Sequence, residues 1–214
     1  MMNEYIQRII LIAPPVLLAL TIHECAHAWT AMRLGDPTAK ELGRVTLNPL
    51  KHLDPIGTLA LFLSGMFGWA KPVPINPVNF KNPSKALLWV ALAGPLSNVM
   101  LAALFAVVLK LFSKELAPYL MGHPGIYEPL FIMIKVSVII NISLAVFNMI
   151  PIPPLDGSKV LLHALPYRKA LKFSMIEPYG FIILILLIMT GVIHKFISPI
   201  VFLAAGILTG GGYG

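Results

Sequence analysis

The sequence predicts an all-α polytopic membrane protein, with about four transmembrane helices and a short re-entrant or β-strand element between the first two. Three observations carry this. Of 214 residues, 57% are hydrophobic and only 12% charged, with a mean hydropathy of +0.83, where a soluble domain carries about 25% charged residues. Four stretches are apolar over about the 20 residues that a span needs. The Lys and Arg residues gather in two of the connecting loops, which is a topology pattern of membrane proteins.

Segment one runs from about Ile9 to Met32, and Pro14-Pro15 should kink or loosen its first half. Arg8, the apolar run and Ala26-His27-Ala28 together mimic a cleavable secretory signal. The proline pair, and a chemically loaded motif overlapping the cleavage site, argue against that reading. A long connection, Arg33 to Lys85, holds the turn formers Asp54-Pro55, Asn76-Pro77 and Asn82-Pro83. Within it Ile56 to Trp69 is apolar but too short to span, and reads as re-entrant or interfacial. Trp69 to Asn76 alternates with proline and reads as an extended edge strand. Segment two covers Ala86 to about Leu111, and segment three about Leu130 to Ile150, ending at Pro151-Ile152-Pro153-Pro154. A short helix is expected over about Gly157 to Leu165. Segment four starts near Tyr179 and would run toward Leu208, with Gly191, His194-Lys195 and Pro199 expected to break it.

The net charge is +7, but no continuous basic face forms, so nucleic acid is not an expected partner; the lipid bilayer is. Arg33, Lys40, Arg44, Lys51, Lys71, Lys81 and Lys85 lie between segments one and two. Lys159, Arg168, Lys169 and Lys172 lie between three and four. The opposite side has Arg8, Lys110, Lys114 and Lys195, while Lys135 falls inside segment three. This bias puts both basic loops in the cytoplasm and both termini outside. The single Cys25 excludes an internal disulfide framework. The expectation is one domain, 1–214, with no room for a separate soluble domain.

His23-Glu24-Cys25-Ala26-His27 lies within segment one. Positions i and i+4 share a helix face, so His23 and His27 can present two imidazoles to one metal ion. Glu24 is rotated by about 100° and can reach a water at the metal without being a ligand. Packed polar residues are the blander reading, but two His and one Glu inside a span are costly and need a reason. A catalytic zinc takes three protein ligands and leaves one position open. Asp156, between Leu155 and Gly157 at the end of segment three, is the candidate third ligand. Taken alone it reads better as a surface turn former. The predicted topology changes that, because it puts Asp156 and the His pair on the same side of the membrane.

His23-Glu24-x-x-His27 paired with Asn148-x-x-Pro151-x-Pro153-x-Leu155-Asp156-Gly157 resembles the site-2 protease family of intramembrane zinc metalloproteases. Gly94-Pro95-Leu96-Ser97-Asn98 matches that family's Gly-x-x-x-Asn pattern, with close packing expected at Gly94 and a hydrogen-bonding amide at Asn98. The resemblance implies one Zn2+ per chain held by His23, His27 and Asp156, with Glu24 as general base. It also implies Asn148 near the zinc, stabilising an oxyanion. Gly68 to Asn76 resembles the family's membrane-associated strand, which could pair with an unwound substrate by edge addition. The substrate class implied is a transmembrane protein or peptide, and the setting a prokaryotic plasma membrane with the site toward the cytoplasm. Larger members carry PDZ or terminal regulatory domains and six spans; neither the domains nor six spans are read here.

Two other classes use the same residues differently. A zinc transporter needs the ligands but no general base, and ion pathways place ionisable groups along several spans. A catalytically silent homologue would bind membrane segments only. Cys25 points away from the shared His face. His52, His123, His163 and His194 occur singly and read as interfacial, and Trp29, Trp69 and Trp89 as interface anchors. Asn141, about two turns before Asn148 on one face, either bonds within the bundle or lines the site.

Overall fold

Prolines preceded by Asn or Asp set where many of the elements begin. In a computed structural model the side chains of Asn48, Asp54, Asn76 and Asn82 accept from backbone N–H groups of Leu50, Gly57, Val78 and Lys85, at 2.7–3.2 Å. Each stands directly before a proline that opens a helical turn: Pro49, Pro55, Pro77 and Pro83. Proline fits there because the first helical N–H has no intrahelical partner to lose.

The structure describes residues 2–64, 68–116 and 124–211. Its order is α1 (Met2–Leu34), α2 (Thr38–Glu41), α3 (Pro55–Ser64), α4 (Pro83–Leu111), α5 (Pro124–Asn148), α6 (Asp156–Ala164), α7 (Tyr167–Ser174), α8 (Glu177–Met189) and α9 (Val192–Thr209). Short 3₁₀ turns cover Pro49–Lys51 and Pro77–Asn79, and a π-helical turn, Phe112–Leu116, extends α4. Four helical stretches are long and apolar enough to cross a membrane: Ile9–Leu34, Pro83–Lys114, Gly125–Asn148 and Val192–Thr209. The pair α7 and α8, bent by 65°, would make a fifth if counted as one span.

Segment one is a single helix with both prolines inside it. Segment four does break at Gly191, whose φ of 72° is left-handed. It does not break at Pro199 or at His194-Lys195, all of which sit within α9. Neighbouring helices and local adjustment re-satisfy backbone freed by such prolines.

The expected re-entrant or β-strand element is not supported. Ile56 to Ser64 lies in α3, and the remainder of that stretch includes 65–67, outside the described residues. From Trp69 to Asn76 there is one isolated antiparallel bridge, Leu53 to Ala70, and no strand among the described residues. Lys71 N–H donates to the His52 carbonyl at 2.8 Å, but Pro72 and Pro74 have no N–H to continue a ladder. The carbonyls of Lys71 and Pro72 instead accept from the Arg44 guanidinium, at 2.5 and 3.2 Å. The segment is extended because an arginine and prolines hold it, not because a sheet does.

The chain falls into two compact units. One comprises Met1–Ala19, Asn98–Phe147 and Ile185–Gly214. Its core is Ala102, Ala106, Val138, Ile142, Val201 and Ala205, and the alanines let helices approach closely. Buried Asn98 donates to the Ala19 carbonyl at 3.2 Å and to Asn141 Oδ1 at 2.8 Å, while Asn141 donates to the Ser137 carbonyl at 2.8 Å. Of the two readings left open for Asn141, bonding within the bundle is thus observed. The other unit comprises Leu20–Ser97 and Asn148–Leu184, with Ala31, Phe80, Ala86 and Val90 clustered in its interior.

Candidate metal centre

The second unit holds His23, Glu24 and His27 on α1, and Asp156 at the first position of α6. The i, i+4 spacing on α1 places the imidazoles together, with Nε2 atoms 3.0 Å apart. Asp156 reaches them because the chain after α5 turns tightly. Ile152 N–H donates to the Ile150 carbonyl, Leu155 N–H to that of Ile152, and Ser158 N–H to that of Leu155, at 2.8–3.1 Å. Gly157 is what the turn requires, since a Cβ there would collide with the Met149 carbonyl and stand 2.7 Å from that of Ile150.

Asp156 Oδ2 stands 3.2 Å from His23 Nε2 and 3.1 Å from His27 Nε2. All three residues are at most 7% exposed. Around a tetrahedral zinc, with bonds of about 2.0–2.1 Å, neighbouring ligand atoms lie roughly 3.3 Å apart. The triangle fits a metal of that kind closely. Oδ2 is also buried without a hydrogen bond of acceptable geometry, an orphaned acceptor that a cation would satisfy. Among the described residues this is the one His, Cys, Asp and Glu group of three or more that could hold a metal ion.

Surrounding groups aim the ligands. His27 Nδ1 is 2.6 Å from the Val90 carbonyl, which makes Nδ1 the donor and leaves the Nε2 lone pair facing the cluster. Gly94, on α4, lies flush against both rings: a Cβ there would collide with His27 Nε2 and stand 2.6 Å from His23 Nε2. Asp156 Oδ1 faces Lys159 Nζ at 3.6 Å. Burial alone would push the Asp156 carboxyl up, but the imidazoles of His23 and His27, then Lys159, hold it well below the usual carboxylate range.

The structure thus brings His23, His27 and Asp156 together. Glu24, one residue on from His23, is half-buried. Asn148 is half-buried at the last position of α5, where the turn toward Asp156 begins. Cys25 is outside the cluster, its thiol against the Thr46 backbone. His163 and His194 are exposed, and His123 lies outside the described residues. His52 is 1% exposed, and its ring meets the Thr46 carbonyl at 2.9 Å.

Three contributors were not legible as such in the sequence. Val90 acts through its carbonyl, which no side chain advertises. Gly94 reads as a helix-packing glycine and proves to be the floor under both imidazoles. Arg44 reads as a loop charge, yet is 4% exposed. Burial pushes its guanidinium down and the nearby Glu24 carboxylate pulls it back up. Asp36, fully buried after α1, accepts from Thr38, Asn79 Nδ2 and Asn76 N–H at 2.5–3.1 Å, which pins the extended segment at its other end. Burial would raise its carboxyl, but hydrogen bonds from Thr38, Asn79 and Asn76 hold it below the usual range.

A family model for peptidase family M50 matches residues 123–191. The chain is 39% identical over 179 residues to "Putative zinc metalloprotease YwhC" of Bacillus subtilis, covering 82% of this chain and 78% of that protein. It is 26% identical over 203 residues to the protein of Mycolicibacterium smegmatis named as the same kind of enzyme, Rip2, covering 93% and 74%. A shorter match, 43% over 72 residues, reaches the similarly named MJ0611 of Methanocaldococcus jannaschii, covering 34% and 31%. No solved structure matches the chain.

Proposed function

The chain belongs to peptidase family M50, and from that premise we propose that it is a zinc-dependent endopeptidase that hydrolyses peptide bonds of transmembrane substrates within the bilayer. One observation carries the reading: the ligand atoms of His23 and His27, on the helix that carries the H-E-x-x-H motif, and of Asp156, on another helix, are buried and mutually close. The names of the relatives support zinc as the ion, and the apolar helices support the membrane setting.

His23, His27 and Asp156 would hold the ion and leave its fourth position open. When bound, zinc supplies a Lewis acid that makes water acidic enough to ionise near neutral pH. Glu24 accepts the proton of the attacking water and later passes it to the leaving amine. Asn148 donates a hydrogen bond to the oxyanion that develops on the scissile carbonyl. The Val90 carbonyl holds the His27 tautomer throughout. The charge bias supports a site facing the cytoplasm of a prokaryotic plasma membrane, with 1–214 acting as one catalytic domain.

Co-expression of wild type and Glu24→Gln with a panel of single-span test substrates, read on a gel, tests this. A shorter product with wild type that falls by roughly a thousandfold with Glu24→Gln is expected, since general-base catalysis contributes about 10²–10⁴. Zinc content should stay at one per chain in both. Equal cleavage by both would remove Glu24 as the base. Zinc flux across vesicles that survives Glu24→Gln, with no cleavage by wild type, would favour a transporter instead.

A further inference from the structure

Helix α7 carries apolar and basic side chains that nothing in the metal centre uses. Ala170, Phe173 and Ser174 are its part-buried side. Tyr167, Leu171 and Met175, the last of them just past the helix end, follow one another at four-residue spacing and are more than half exposed. At about 100° per residue they form one apolar stripe. Arg168 and Lys172 run beside that stripe with Lys169 beyond them, and all three are exposed. No residue of Tyr167–Ser174 is acidic, and among the described residues no carboxylate pairs with these three bases.

An exposed apolar stripe beside unpaired cations suits neither water nor the bilayer interior. Water would leave Tyr167, Leu171 and Met175 uncovered, and hydrocarbon would strand three charges. The boundary between the two satisfies both stripes, because the apolar side chains enter the acyl region while the long basic ones reach back to the headgroups. The chain also aims the helix that way. After Met175 and Ile176 comes α8, which has no charged residue beyond Glu177 and is bent by 65° from α7. With α8 entering the membrane, such a bend lays α7 close to the membrane plane. Tyr167, with an apolar ring and a polar tip, is a residue type enriched at that depth. The counter-charge that the three bases lack within the chain is what an anionic lipid surface supplies.

We infer that α7 lies in the membrane interface as an anionic-lipid-binding helix, with Tyr167, Leu171 and Met175 inserted and Arg168, Lys169 and Lys172 on the headgroups. Neither zinc nor proteolysis enters this interaction. Spin-label accessibility tests it, on the full chain carrying Cys25→Ser with a nitroxide on either Leu171→Cys or Lys169→Cys. The protein is held in nanodiscs of phosphatidylglycerol mixed with phosphatidylcholine. The Leu171→Cys label should collide more with oxygen, which concentrates in lipid, than with a neutral water-soluble nickel chelate. The Lys169→Cys label should show the reverse. In pure phosphatidylcholine the nickel accessibility of the Leu171→Cys label should rise roughly fivefold, the factor in affinity that one base contributes near an anionic surface. Adding Arg168→Gln with Lys172→Gln should give that higher value in either lipid, while Arg168→Lys with Lys172→Arg keeps the lipid dependence. No side chain of α7 is fully buried, so these variants leave the fold intact. Nickel access as high at Leu171→Cys as at Lys169→Cys would put α7 in water, open to a soluble partner, and overturn the assignment. Oxygen access alone at both labels would make α7 part of a broken span and overturn it equally. Values at Leu171→Cys that are the same in both lipids would overturn the anionic preference.

Discussion

Two of the groups of buried polar side chains among the described residues are built on opposite principles. Around Asn98 and Asn141 the amide donors find acceptors: the Ala19 carbonyl, the Asn141 side chain and the Ser137 carbonyl. Around His23, His27 and Asp156, ligand atoms are instead crowded together, with Oδ2 of Asp156 left without a hydrogen bond. A satisfied network in an apolar interior fixes how helices pack. An unsatisfied, convergent one leaves an acceptor that a bound cation would satisfy. Gly94 and Asn98 make the contrast within one motif, the first serving the convergent group and the second the satisfied one.

Substitution at Gly94 is the severest way to break the comparison. Gly94→Ala drives a methyl into both imidazoles. Zinc measured on the purified protein should fall from one per chain by on the order of tenfold in occupancy-limited buffer, in keeping with losses of about 10–100-fold when groups supporting a metal ligand are changed. Helical circular dichroism should stay unchanged. If zinc is retained, Gly94 is a packing residue like its neighbour Asn98, and the contrast fails.

Asn98→Ala should do the reverse. It removes two hydrogen bonds and should lower stability in detergent by about 1 kcal/mol, read as an earlier thermal transition, with zinc content intact. Loss of zinc without loss of stability would mean that the two groups are not separate in kind.

The smallest effect belongs to Asp36, a carboxylate that is buried like Asp156 but fully hydrogen-bonded like the asparagines. Its folded-state pKa lies below the unfolded value, so its contribution to stability is present above the unfolded pKa of about 4 and is lost as pH falls through the lower folded value. Wild type should therefore lose stability below about pH 4 more steeply than Asp36→Asn. Thermal unfolding between neutral pH and pH 3 checks this, and parallel curves would show that Asp36 does not contribute.

The side chains of the candidate site were legible because helix geometry is local. His23 and His27 share a face by spacing alone, and proline and glycine around Asp156 announce a turn. Asp54-Pro55 and Asn82-Pro83 read as turn formers of the connection; in the structure they open helices, the second of them three residues ahead of the expected start at Ala86. What failed depended on partners far along the chain. Trp69 to Asn76 has the composition of an edge strand, but its carbonyls are taken by Arg44, more than twenty-five residues upstream. Pro199 reads as a breaker, yet α9 continues through it, since span interiors tolerate proline better than the same residue in a soluble helix.

The proposed ligands come from opposite parts of the chain, His27 near its start and Asp156 about 130 residues later, a separation that delays any contact between them during folding. A nascent chain whose first span has already entered the membrane holds the imidazole pair and the carboxylate of Glu24, but no third ligand. Competence arrives only when the ribosome has passed the Leu155-Asp156-Gly157 turn and α4 has brought Gly94 and Val90 alongside. The order of synthesis thereby means that an unfinished chain lacks one of the three proposed ligands.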